Sequence, residues 1–179
     1  MPRLLTRVLG AADLPLAELC AARLDGDVYA VDDCFAPVDE VDEVGLRALA
    51  LGRIAPARVI AERLTALWIY GVLPAPPPRH TLCIASATRA RVPPSARWIV
   101  RECVLRPGDV RLIGSTPVVS PLHAAVDVLR SAERYGDEER RWVAELMSYG
   151  RFEPPACAEH IRRSPSAPGT KRARQRLAA

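Results

Sequence analysis

Residues 109–130, DVRLIGSTPVVSPLHAAVDVLR, change their hydrophobic period part-way, and that change decides the fold. Val110 to Ile113 and Pro117 to Val119 are short apolar runs on either side of Gly114-Ser115, which is turn chemistry between two strands. Ser120 then stands as a side-chain N-cap with Pro121 at the first helical position. Leu122, Ala125, Val126 and Leu129 follow at the spacing of one helical face.

Outward from this stretch the two periods segregate. Thr81 to Ala85 and Trp98 to Leu105 are further strand-like runs, bounded by Pro93-Pro94 and Pro107-Gly108, and their spacing suits an antiparallel sheet. Helical patterns occupy Val44 to Arg53 and, beyond the sheet, Asp137 to Tyr149 and Pro154 to Arg163. Another helix is expected after Pro56 and up to about Tyr70. Ile60, Leu64, Leu67 and Trp68 lie on one of its faces and Ala61, Thr65 and Ile69 on the other, which predicts a central, buried helix ended by Gly71 and the prolines of 74–78.

The amino-terminal part reads as a short helix, Leu14 to Leu24, a turn at Asp25-Gly26, and two short strands, Val28 to Val31 and Cys34 to Pro37, about Asp32-Asp33. Helix, turn and ribbon are the outline of an abbreviated winged helix. The expected fold is therefore α+β. It comprises a winged-helix-like segment over residues 1–43, a core domain over 44–163 with an antiparallel sheet packed by helices, and a linker with a basic tail over 164–179.

Charge is distributed unevenly. Residues 1–50 carry 4 basic and 10 acidic side chains, a net of −6, and residues 51–179 carry 21 and 11, a net of +10. A basic body predicts a polyanionic partner, whereas Leu24 to Glu43, with eight carboxylates and no basic residue, would repel phosphate. The longest charge-free run, Leu64 to Pro78, is 15 residues and too short to span a bilayer. Arg3, Arg7 and Asp13 interrupt any secretory signal, and five widely spaced cysteines are expected to stay reduced, so the sequence predicts a cytoplasmic protein without membrane partners.

The chain holds no glycine-rich phosphate loop, nucleophile elbow, HExxH helix or paired-carboxylate motif, which argues for a binding protein over an enzyme. The carboxylates of Asp39 to Glu43 are the one place for a metal-dependent nuclease or transferase, and a solvated acidic loop is the plainer reading of them. His80 with Cys83 and Cys157 with His160 have zinc-like spacing. Residues i and i+3 of a strand face opposite ways, however, so buried thiols and surface or capping histidines are favoured, and neither metal nor cofactor is expected. Candidate nucleic-acid contacts lie in two basic stretches: Arg89, Arg91, Arg97 and Arg101, and then Arg162, Arg163, Lys171, Arg172, Arg174 and Arg176.

The order of these motifs resembles the AbiEi family of antitoxins and transcriptional regulators of type IV toxin–antitoxin systems. Three stretches carry the likeness: Leu16 to Gly26, Arg63 to Gly71, and Asp109 to Leu129. In the last of these the family usually reads a strand, a glycine, then V-T-x-P-x-R-T-x-x-D-L. This chain has His123 and Ala124 where the family generally has arginine and threonine, and its amino-terminal module is short and acidic. The resemblance implies binding of DNA at the promoter of its own operon, neutralisation of a nucleotidyltransferase-type toxin, or both. A general nucleic-acid-binding protein without a toxin partner is the alternative.

Overall fold

Where the sequence leads from hairpin into helix, the chain does so. Ile113 and Thr116 flank the turn Gly114-Ser115, with Gly114 at φ 60, and Ser120 Oγ accepts from His123 N to cap the following helix. The computed structural model describes residues 6–86 and 92–178, over which the fold is α+β, with seven helices, a two-stranded ribbon and a five-stranded sheet. Two compact units form, Met1–Ala57 with Leu112–Thr116, and Arg58–Arg111 with Pro117–Ala179. The boundary at 57/58 lies beyond the expected 43/44. Residues 164–178 pack as part of the second unit and are not a separate tail.

In the first unit, α1 (Leu16–Asp25) ends at Gly26, whose φ of 83 turns the chain into β1 (Val28–Val31) and β2 (Cys34–Pro37). These strands pair antiparallel from Val28 with Pro37 to Val31 with Cys34, and Leu9 bonds both ways to Phe35. Leu9, Leu19 and Phe35 close a small core under this ribbon. The second helix, α2 (Val44–Ile54), buries Leu46, Ala48, Ala50 and Leu51. Its carbonyl at Ala48 accepts from the hydroxyl of Thr116 at 2.7 Å, and a Cβ at Gly52 would fall 2.5 Å from that same hydroxyl oxygen.

The second unit contains β3 (Ile60–Ala61), α3 (Arg63–Ile69), β4 (His80–Ala85), β5 (Trp98–Cys103), and the hairpin of β6 (Val110–Ile113) and β7 (Thr116–Val119), whose tip belongs to the first unit. The sheet runs β5-β4-β3-β7-β6, and it is mixed where an antiparallel one was expected. Strands β4 and β5 are parallel, as are β3 and β7, while β3 and β4 are antiparallel. Residues 86–97 separate β4 from β5, long enough to return the chain to the end from which β4 started.

The helix expected from Pro56 to Tyr70 is also different. Ile60 and Ala61 are strand, α3 is only Arg63–Ile69, and Leu64 is 41% exposed while Trp68 is 2% exposed. The central helix is instead α4 (Pro121–Ser131), buried along most of its length and packed against α3, α5 (Asp137–Gly150), α6 (Pro154–Arg162) and α7 (Thr170–Ala178). Among the described residues no helix is long and apolar enough to cross a membrane.

Candidate functional site

The first turn of α4, the carboxyl end of β5, the turn before β6 and helix α6 meet over a cleft of about 780 Å³ within the second unit. Five arginines line it: Arg63, Arg101, Arg106, Arg130 and Arg172. Three carboxylates, Glu102, Asp109 and Asp127, line it too, together with His123 and His160.

Arg63 opens α3 at φ 47, a left-handed conformation that costs a non-glycine residue about 1–3 kcal/mol. Hydrogen bonds about Glu62 maintain it: Glu62 N donates to Thr81 O at 3.1 Å, and Glu62 O accepts from Thr81 Oγ1 at 2.8 Å and from Ala66 N at 3.2 Å. The Glu62 side chain is 1% exposed. Arg101 reaches it from β5 with Nε at 2.5 Å and Nη2 at 2.6 Å, and Cys103 Sγ lies 3.5 Å from the same carboxylate. Burial alone would lower the pKa of Arg101, but the hydrogen bonds and charge of Glu62 raise it above its ordinary value. Burying both charges is tolerable because the pairing is bidentate.

The other guanidiniums are less occupied. Arg130 Nε and Nη2 and Arg63 Nε are buried with no hydrogen-bond partner, and burial lowers the pKa of Arg130. Arg106 donates through Nη2 to the carbonyl of Arg163. Buried N–H groups without acceptors are costly, and an anion with several oxygens would satisfy them.

Ser120 capping places His123 in the first turn of α4, with Asp127 one turn further on. His123 Nδ1 stands 3.5 Å from Asp109 Oδ2, and its Nε2 stands 3.8 Å from Asp127 Oδ2. His160 Nδ1 is 3.8 Å from Asp109 Oδ1, and the two imidazoles meet edge to face at 5.3 Å. Burial works to raise the pKa of Asp109, but His123, the backbone N–H of Arg106 and His160 together hold it below the ordinary value. Burial raises that of Asp127 and lowers that of His160.

The sequence candidates fall in different places. Arg89 and Arg91 lie outside the described residues. Arg101 and Arg172 line the cleft, although Arg101 is committed to Glu62. Arg97 donates to Pro78 O at 3.0 Å, away from the cleft. Arg162 and Arg163 both pair with Glu159. Arg162 and Arg174 border a separate groove beside Ile161 and Leu177. Lys171 is exposed. Arg176 donates to Leu129 O at 3.0 Å and Ala132 O at 2.8 Å, and lies over the Tyr135 ring.

Arg63, Arg106, Arg130, Asp109, His123, Asp127 and His160 were not singled out as a site by the sequence. The sequence marked His160 only through its spacing to Cys157, and no local pattern joins it to the other six, which are spread along the chain from Arg63 to Arg130. The acidic loop is tied down: Arg7 bonds Glu40 at 2.9 Å and Glu43 at 2.8 Å, and Arg47 holds both oxygens of Asp42 at 2.7 Å. Among the described residues His80, Cys83, Cys157 and His160 do not converge; Cys83 sits with Cys103 and Glu62, and His160 with Asp109 and His123.

No protein-family model and no curated protein matches the chain. Among solved structures, the RV2827C protein from Mycobacterium tuberculosis is similar at a TM-score of 0.49 and 16% identity, over 97% of this chain and 72% of that one.

Proposed function

We propose that this chain is an intracellular, antitoxin-like regulator that acts by binding, and that the arginine-lined cleft of the second unit takes nucleic-acid phosphate. The observation that carries this reading is the set of buried guanidinium nitrogens without acceptors on Arg63 and Arg130, in a cleft that also presents Arg106 and Arg172. Phosphate oxygens are the acceptors that a planar guanidinium matches best, and backbone contacts of this type position a protein on DNA without reading sequence. The resemblance of Asp109 to Leu129 to the AbiEi motif supports repression of its own operon, with the helix and ribbon of Leu16 to Pro37 as the counterpart of that family's winged helix. A general nucleic-acid-binding role would use the same cleft.

The test is a salt titration of DNA binding with the chain's own promoter and with unrelated duplex. Each phosphate contact steepens the log-affinity versus log-salt slope by about 0.9. Arg130→Gln and Arg172→Gln should each shallow it by about that amount, on both DNAs. Promoter preference over unrelated duplex separates operon repression from general binding. Equal slopes for wild type and both variants would remove the cleft from the interface.

A second reading, opposition to a toxin, is favoured by one feature of the first unit. Leu24, Val38 and Val41 are 89%, 68% and 70% exposed within its acidic stretch, and exposed apolar side chains among carboxylates suit a basic protein partner. Absence of DNA binding at low salt would leave this as the function.

A further inference from the structure

We propose that Asp109, His123 and His160 form a site for one divalent transition-metal ion of the zinc(II) or cobalt(II) type. Each residue comes from a different element: the turn before β6, the first turn of α4, and α6. One donor atom from each lies within 4.8 Å of the others, and all three residues are buried, at 7% to 9% exposure. Donors bonded to one ion at about 2.0–2.2 Å stand roughly 3–3.6 Å apart. The spacings of 3.5 Å from His123 Nδ1 to Asp109 and 3.8 Å from His160 Nδ1 to Asp109 are close to that and long for hydrogen bonds.

Two buried atoms of this cluster, His123 Nδ1 and Asp127 Oδ2, make no hydrogen bond, although Asp127 Oδ2 stands 3.7 Å from Arg101 Nη2. A metal on His123 Nδ1 accounts for the first directly. It also fixes the tautomer, leaving the proton on Nε2, which faces Asp127 Oδ2 at 3.8 Å. A carboxylate behind the metal-bearing imidazole is the usual outer partner of such a ligand, and it orients the ring. Asp127 is thus a positioning residue and not a ligand.

Two imidazoles and one carboxylate are a borderline donor set suited to zinc(II), cobalt(II) or iron(II), and three protein ligands leave a fourth position. The other cluster of potential ligands, Glu62, Cys83 and Cys103, does not compete, because Arg101 occupies both Glu62 oxygens. The metal site stands on its own geometry and does not depend on the nucleic-acid reading.

The experiment uses the full chain, freed of metal by chelator and titrated with cobalt(II) and zinc(II) in the absence of nucleic acid. One equivalent of cobalt(II) is expected to bind, with visible absorption of a four- or five-coordinate centre and no thiolate charge-transfer band. One equivalent of zinc(II) should displace it and raise Tm. His123→Asn and His160→Asn should each weaken binding by more than 100-fold, and Asp127→Asn by about 10- to 100-fold with the stoichiometry kept at one. Circular dichroism of the metal-free variants checks that they fold. If a variant does not, the wild-type spectrum and stoichiometry still decide. No saturable binding by the wild type, a thiolate band, or unchanged affinity in folded His123→Asn and His160→Asn would each overturn the site.

Discussion

Arg101 on β5 holds both carboxylate oxygens of Glu62 at 2.5 and 2.6 Å, and Arg63, in its left-handed conformation, follows Glu62 directly as the first residue of α3. Glu62 therefore links the sheet to the cleft wall. Removing its charge leaves the half-buried Arg101 guanidinium with only the more distant Asp127 Oδ2, at 3.7 Å, as a carboxylate neighbour. Glu62→Gln should destabilise the protein by on the order of 3 kcal/mol, the low end for a broken buried pair, because Arg101 is 37% exposed. Denaturant melts measure it, and a loss below about 1 kcal/mol would contradict this role.

Helix α3 presents Trp68 inward and Leu64 outward. Trp68→Ala should cost about 3–5 kcal/mol as a large deletion in a packed core. Leu64→Ala, at 41% exposure, should cost under about 1 kcal/mol. Similar losses for the two would show that the face is wrongly assigned.

Helix α7 buries Thr170 and Ala173 against its neighbours, and Arg176 caps carbonyls at the end of α4. Ala173→Leu should overpack this contact and cost about 1–3 kcal/mol. Arg176→Gln should lower stability by about 1–3 kcal/mol through the lost charged hydrogen bonds, with little change in the salt slope of DNA binding. A slope change without a stability change would place Arg176 on phosphate instead.

His160 sets a pH dependence. Burial depresses its pKa in the folded chain below 6.5, so the unfolded chain takes up the proton first. Its contribution to stability is complete above about pH 6.5 and is lost as pH falls through the lower, folded value. Asp109, also depressed, acts in the same sense below 3.8, while Asp127, raised by burial, acts in the opposite sense as it takes up a proton. His123, Arg106 and Arg130 complete the charged surroundings. In metal-free protein, His160→Gln should flatten the fall in Tm between about pH 7 and pH 5. Identical slopes for wild type and variant would rule this out.

Local chemistry made much of the fold legible in the sequence. Gly114-Ser115, the Ser120 cap with Pro121, and the Asp25-Gly26 turn each act through their immediate neighbours, and the elements around them stand where the spacing places them. Strand direction did not follow, because parallel pairing of β4 with β5 depends on a crossover and not on the apolar runs themselves. Ile60 and Ala61 fitted a helical face, yet pairing with β4 and β7 makes them strand. The cleft was the least legible. Asp109, His123, Arg130 and His160 meet only through the packing of β6, α4 and α6, and a basic run such as Arg172 to Arg176 advertises charge without showing that Arg176 is spent on carbonyls.

The first unit is not one continuous piece of chain. Leu112–Thr116 belongs to it, and Thr116 supplies the hydroxyl that Ala48 O accepts, beside the bare Cα of Gly52. During synthesis the ribosome delivers those five residues only after the whole stretch from Arg58 to Arg111 has emerged, so the amino-terminal unit waits, incomplete, for a strap made much later. A fragment ending at Ala57 lacks the strap altogether, and no single cut in the chain yields both units whole.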